Sequence, residues 1–166
     1  MELLIPGLLL VALMVYVSTR IKRTAADAYE AEGVETADLS ITKPEGFIII
    51  DGDDPSVLFS AYSREYGTDE ADAVRQVSAT IVRHADKNIE QVRDAILQNE
   101  DREKRDGEHS NEFRTDSDID GVVIENEYRL LEKDGKTFEL RVSALAETRE
   151  ENQGSIDELI SSFRLK

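Results

Sequence analysis

The sequence predicts an α+β fold: an N-terminal single transmembrane helix followed by an antiparallel sheet packed with two helices. Three observations carry that expectation. An uncharged apolar run, Leu3–Thr19, ends directly against Arg20, Lys22 and Arg23. Beyond it, apolar and polar residues alternate in several short segments, the period-two pattern of half-buried strands. Two later segments change to spacings of three and four, the period of amphipathic helices. Strands, helix, strands and helix in that order suit helices laid on an antiparallel sheet.

The apolar run is 17 residues long, at the short end of the roughly 17–25 that cross a bilayer as a helix. Its anchor residues are Leu3, Leu10, Leu13 and Val17, with Arg20, Lys22 and Arg23 as a basic collar among the headgroups. Tyr16 falls where an interfacial aromatic belongs. A cleaved secretory signal would carry its cations first and close on a small-residue site. Here Glu2 precedes the run and the cations follow it, so the segment reads as an uncleaved anchor. Cations near a spanning helix stay on the cytoplasmic side, which places the body of the protein there. The lipid bilayer is therefore one expected partner. Small residues Gly7, Ala12 and Ser18 would let a neighbouring helix approach, which adds other membrane protein subunits.

The chain divides into an anchor (1–23), a helical stalk or linker (24–37) and an acidic α+β domain (38–166). Thr24–Glu32 is rich in alanine and other helix formers, and Gly33 can end it. Leu39–Thr42 reads as a strand, Lys43-Pro44-Glu45-Gly46 as a turn and Phe47–Ile50 as a second strand. Asp51–Pro55 is a loop of turn formers. In Leu58–Tyr66, Leu58, Ser60 and Tyr62 oppose Phe59, Ala61 and Ser63. Gly67–Asp72 connects to Val74–Arg83, where Val77, Ala79 and Ile81 share a face. Ile89, Val92 and Ile96 then mark a helix over about 88–104, capped by Asp86 or Asn88. Asp134-Gly135 between Val122–Leu131 and Thr137–Leu145 is a strong hairpin signal. A last helix is expected to start at Ser155, with Glu158 completing a capping box. Its apolar face is Ile156, Leu159, Ile160 and Phe163.

Charge narrows the function. The chain holds 20 Lys and Arg against 36 Asp and Glu; beyond Gly33 the balance is 17 against 32, a net of −15. Such a body is repelled by phosphate backbones, so nucleic acid is excluded as a partner. The absence of Cys removes disulfides, thiolate catalysis and cysteine-held zinc.

One motif points to a ligand. Asp116, Asp118 and Asp120, followed by Gly121 and then Glu127, fit the D-x-D-x-D-G-x₅-E calcium pattern. Carboxylates in that spacing suit a hard cation. Against it, the preceding segment shows no entering helix, and Tyr128–Leu131 reads more naturally as a hairpin arm. His84 and His109 lack companions at ligand spacing and read as solvated surface. The mixed charges of Asn99–Glu108, such as Glu100 and Lys104, suit an exposed helix end. With no phosphate-cradling or nucleophile motif present, no cofactor beyond possible calcium is expected, and no enzymatic activity.

Three phrases resemble the PsbP-like fold, the group that includes the extrinsic photosystem II protein and DcrB-type bacterial envelope proteins. They are Lys43-Pro44-Glu45-Gly46-Phe47, Asp120-Gly121-Val122-Val123, and the terminal Glu158-Leu159-Ile160-Ser161-Ser162-Phe163-Arg164, within about Asp38–Lys166. The resemblance implies a non-enzymatic module, often an assembly or stabilising subunit of a membrane complex. A helical anchor departs from the soluble or lipid-anchored members. The expected function is that of a single-pass accessory or interaction subunit, with a calcium-responsive tethered module as the alternative.

Overall fold

A small sheet is formed by β1 (Glu32–Glu35), β2 (Leu39–Lys43) and a terminal strand, Arg164–Leu165, which pairs with the free edge of β2. The main sheet holds β3 (Phe47–Ile49), β4 (Val57–Ser63), β5 (Val77–His84), β6 (Glu112–Ile119), β7 (Val122–Lys133) and β8 (Lys136–Leu145). Its order is β3-β4-β5-β8-β7-β6. Every pairing is antiparallel. Helix α1 (Ile89–Asn99) follows β5 and α2 (Arg149–Ser162) follows β8. This computed structural model describes Met14, residues 27–99 and residues 111–166. The α+β fold with antiparallel sheets and two helices is thus as the sequence implies. The anchor residues Leu3, Leu10, Leu13, Val17, Arg20, Lys22 and Arg23 lie outside the described residues. Among the described residues no helix is long and apolar enough to cross a membrane.

Alternation decides which side chains meet the core. Phe59 and Ala61 of β4, Val77, Ala79 and Ile81 of β5, and Phe138, Leu140, Val142 and Ala144 of β8 are buried on one face. Helix α2 closes that face with Ile156 and Leu159, and Phe163 follows its last turn. Fully burying such a side chain contributes about 1.5–3 kcal/mol, so this face sets the register of the strands. A second cluster joins Val92 of α1 to Phe113, Tyr128 and Leu130. Leu130 pairs with Glu139 while Leu131 pairs with Phe138, so this cluster lies on the opposite face of the sheet. The rings of Phe113 and Tyr128 stack there with centroids 4.9 Å apart.

The two tight hairpins share one device. Asp134 and Gly135 have φ of 53° and 71°, and Asp120 and Gly121 have 54° and 90°. Two successive positive φ values form the mirror-image turn that matches strand twist, and Asp-Gly is its preferred pair.

Three differences from the sequence expectations have local causes. The helical stalk expected over 24–37 gives way, from Ala28 onward, to a turn and then β1, whose Val34 pairs with Ile41. Gly33 is no helix terminator here but sits inside that strand. Strand β6 is an additional element: its sequence, EFRTDSDI, is too polar to show alternation because it is the outer edge of the sheet. Charged side chains on an edge discourage pairing with other chains. Helix α2 begins at Arg149 and not at Ser155. Its first half carries polar residues and Gly154, so it lacks the apolar spacing that marks the second half. Helix α1 is capped by Asn88, whose Oδ1 accepts from Gln91 N–H at 2.9 Å while Gln91 returns the bond at 3.0 Å. The rest of its expected length, to Lys104, lies outside the described residues.

Candidate functional site

Antiparallel register gathers one set of connections at one end of the main sheet. The turn before β3, the loop from β4 to β5, the β6–β7 turn and the passage from β8 into α2 all lie there. Residues 27–31, which lead in from the N-terminal segment, are fastened at the same end. Lys43 does the fastening. It is 1% exposed, and its Nζ donates to the carbonyls of Ala28 at 2.9 Å, Glu30 at 2.5 Å and Phe47 at 3.3 Å. A buried ammonium is tolerated only where acceptors replace its water, and carbonyls from both sides of the junction supply them. Gly46 N–H donates to Tyr29 O at 2.7 Å, and the Arg64 guanidinium lies 5.2 Å from the Tyr29 ring centre. The φ of +83° at Gly46 is one that a side chain would strain.

The same tie runs on across the sheet end. Arg64 N–H donates to Gly46 O at 2.8 Å, and Gln76 N–H to Glu65 O at 3.1 Å. Arg75 is held against the rings of Tyr62 and Tyr66, at 4.3 and 3.8 Å, and donates to the carbonyls of Ser63 and Arg64. Farther along the loop, Thr68 gives its N–H and hydroxyl to Glu147 Oε1 at 2.8 and 3.2 Å. Gly67 is needed for this closure. A Cβ there would stand 2.5 Å from Leu145 Cδ1 and 2.8 Å from the Ala71 carbonyl.

Between this loop, the β6–β7 turn and the end of β8 lies a cavity of about 470 Å³. Ala71, Val122, Val123, Leu145 and Ala146 supply its apolar wall, and Thr68, Asp69, Gly121 and Glu147 its polar side. Asp69, in the cavity wall, holds a left-handed φ of 48°, so the backbone is locally strained there. Three of the large apolar residues left exposed, Tyr66, Ile119 and Val123, are at this end of the sheet. Ile50, also exposed, is at the other.

Beside the cavity, Arg149 opens α2 while only 8% exposed. A cation at a helix N-terminus opposes the helix dipole. Two carboxylates of β7 offset it: Glu125 at 3.1 Å and Glu127 at 2.6 Å. Arg114 reaches the same Glu127 oxygen at 3.0 Å.

This occupancy bears on the acidic motif. Asp116 and Asp118 lie along β6, Asp120 is in the turn, and Glu127 stands opposite Arg114. Asp118 Oδ1 accepts from Gly121 N–H at 2.9 Å, the local bond that makes Asp a turn residue. A calcium loop coils so that its first, third, fifth and twelfth residues converge. Here five strand steps separate Val122 from Glu127, about 17 Å at strand rise. The four carboxylates are therefore not brought together, and among the described residues no group of three or more metal-ligating side chains forms.

His84 is not solvated surface: its Nε2 meets Glu139 Oε2 at 2.8 Å, on side chains 22% and 12% exposed. His109, Glu100 and Lys104 lie outside the described residues. Sequence reasoning gave Lys43 only a turn and Arg149 no part. The one available signal was a lone lysine behind alternating Leu39 and Ile41, which places it on the inward side.

No family model and no curated protein sequence matches the chain. Solved structures do. The chain is similar in fold to a cyanobacterial PsbP. That protein, from Synechocystis, is 13% identical with a TM-score of 0.48, over 83% of this chain and 94% of the other. LpqN of Mycobacterium tuberculosis, involved in cell envelope biogenesis, is 10% identical with a TM-score of 0.49, over 82% and 91%. A Bacteroides thetaiotaomicron protein is 12% identical with a TM-score of 0.46, over 77% of this chain. The chain spans 45% of that protein's length.

Proposed function

We propose that this chain is a single-pass, membrane-tethered, non-enzymatic accessory subunit whose acidic domain sits on the cytoplasmic face beside other membrane proteins. The observation that carries the reading is the fastening of residues 27–31 by Lys43 and Gly46. A flexible tether needs no such attachment. A domain presented to a neighbour in one orientation does. The apolar run Leu3–Thr19 and the collar of Arg20, Lys22 and Arg23 supply the tether and its sidedness. The strong negative charge of the body keeps it off anionic lipid and leaves basic protein surfaces as its complement.

The test is extraction of the native membrane in mild detergent, followed by native sizing and mass spectrometry. The full chain should travel with a fixed set of membrane proteins, and deletion of residues 1–23 should abolish that association. A full chain that runs alone would overturn the reading.

A further inference from the structure

Residues 27–31, which follow the anchor segment in sequence, lie at the end that carries the cavity. Tyr29, Gly46 and Arg64 are joined there by successive backbone bonds. From β4 to β7 the sheet advances three strands, about 14 Å. The cavity therefore opens at the same end of the sheet as residues 27–31, the part of the domain that follows the anchor segment in sequence. Its apolar wall is continuous with the exposed side chain of Val123 and lies beside that of Ile119, at 40% and 57% exposure. Its polar side is anionic, through Asp69 and Glu147, with Asp118 exposed at the end of β6 and Asp120 on the adjoining turn.

We infer that this cavity takes a lysine- or arginine-bearing aliphatic segment of a partner membrane protein, at the point where that partner leaves the bilayer. The inference rests on the tethered, cytoplasmic reading above. On that face, membrane proteins concentrate lysine and arginine within a few turns of their spanning helices. A site held at the same height meets such segments before any other part of a partner. An aliphatic side chain fills the wall formed by Ala71, Val122 and Leu145, and the cation beside it reaches the carboxylates of Asp69 and Glu147. The surface is wrong for the other occupant available at that height, because the same carboxylates repel anionic headgroups.

The experiment uses the full chain in nanodiscs of zwitterionic lipid and a short labelled peptide of alternating leucine and lysine. A leucine–glutamate peptide is the control. The lysine peptide should bind and the glutamate peptide should not. A146F fills the cavity from an exposed rim position, and D69N with E147Q removes both charges without changing shape. The filled variant should lose binding. The charge variant should weaken it by roughly tenfold, as two exposed ion pairs allow, and should flatten its salt dependence. Thermal melts establish that both variants remain folded. Equal binding to wild type and to A146F would overturn the inference. So would binding that appears only when anionic lipid is added. If the chain keeps its native partner set while A146F also retains it, this inference fails and the accessory role stands. If the chain has no partner set, the accessory role fails first.

Discussion

Replacing Lys43 by Met separates the fastening of residues 27–31 from the stability of the sheet. The methionine keeps the stem volume and removes the ammonium. Two short bonds are lost, to Ala28 O at 2.9 Å and Glu30 O at 2.5 Å, and a longer one to Phe47 O at 3.3 Å. A hydrogen bond to a charged group contributes about 1.5–3 kcal/mol. Relief of the ammonium's desolvation opposes the loss, and Ala28 and Glu30, being exposed residues, regain water at their carbonyls. The net cost is therefore about 2–3 kcal/mol, not the full sum of the bonds. Hydrogen exchange by mass spectrometry is the decisive assay, because the damage is local. Residues 28–34 and Gly46 should lose protection in Lys43→Met, while the strands carrying Val77–Ile81 and Phe138–Ala144 keep theirs. Unchanged exchange at Ala28–Glu30, with a melting temperature equal to wild type, would refute the reasoning. It would mean that the lysine is an ornament of the turn and residues 27–31 are free of it.

Other substitutions and conditions test neighbouring parts of the account. Gly67→Ala forces a methyl group against Leu145 and the Ala71 backbone; chemical denaturation should show a loss of about 1–3 kcal/mol, the usual cost of overpacking, and a value near zero would mean the loop is loosely held. Calcium at millimolar concentration should leave the thermal melt unchanged, since Glu127 is engaged by Arg114 and Arg149, whereas a saturable rise would assign a site to the acidic hairpin. The Glu35 carboxyl is held below the ordinary range by the hydrogen bond and charge of Lys166, 2.8 Å away. Its contribution to stability is present at neutral pH and is lost as pH falls through that lowered value. Carbon-detected NMR titration should place Glu35 below an ordinary glutamate, and K166Q should return it there; identical titrations in the two proteins would contradict the pairing.

The core of the fold was legible because each buried strand follows the period of two. Phe59, Ala61, Val77, Ala79, Ile81, Phe138, Leu140, Val142 and Ala144 are all buried on one face of the sheet, as their alternation requires. Asp134-Gly135 and the apolar positions of both helices were readable for the same local reasons. What stayed hidden was set by tertiary context. Strand β6 has no apolar alternation because it is an edge, and it exists through its pairing with β7. The first turns of α2 are stabilised by Glu125 and Glu127 holding Arg149, a contact made across 22 or more residues. The Asp120-Gly121 pair carried the same turn signal as Asp134-Gly135, yet it overlapped a carboxylate spacing that also spells a calcium loop. Only the register of β6 against β7 separates the two. The candidate site was the least visible part, since its residues come from three connections and none of them forms a motif.

The central claim is that the end of the sheet that carries residues 27–31 and the cavity is the working surface. A photo-cross-linking side chain placed at Val123, and separately at Ile50 on the opposite end, tests it within the native membrane. Both positions are exposed, at 40% and 43%, so accessibility alone does not favour either. The account predicts discrete adducts from Val123 to the cytoplasmic flank of a partner membrane protein and none from Ile50. Adducts from Ile50 with Val123 silent, or the same diffuse yield from both, would contradict it.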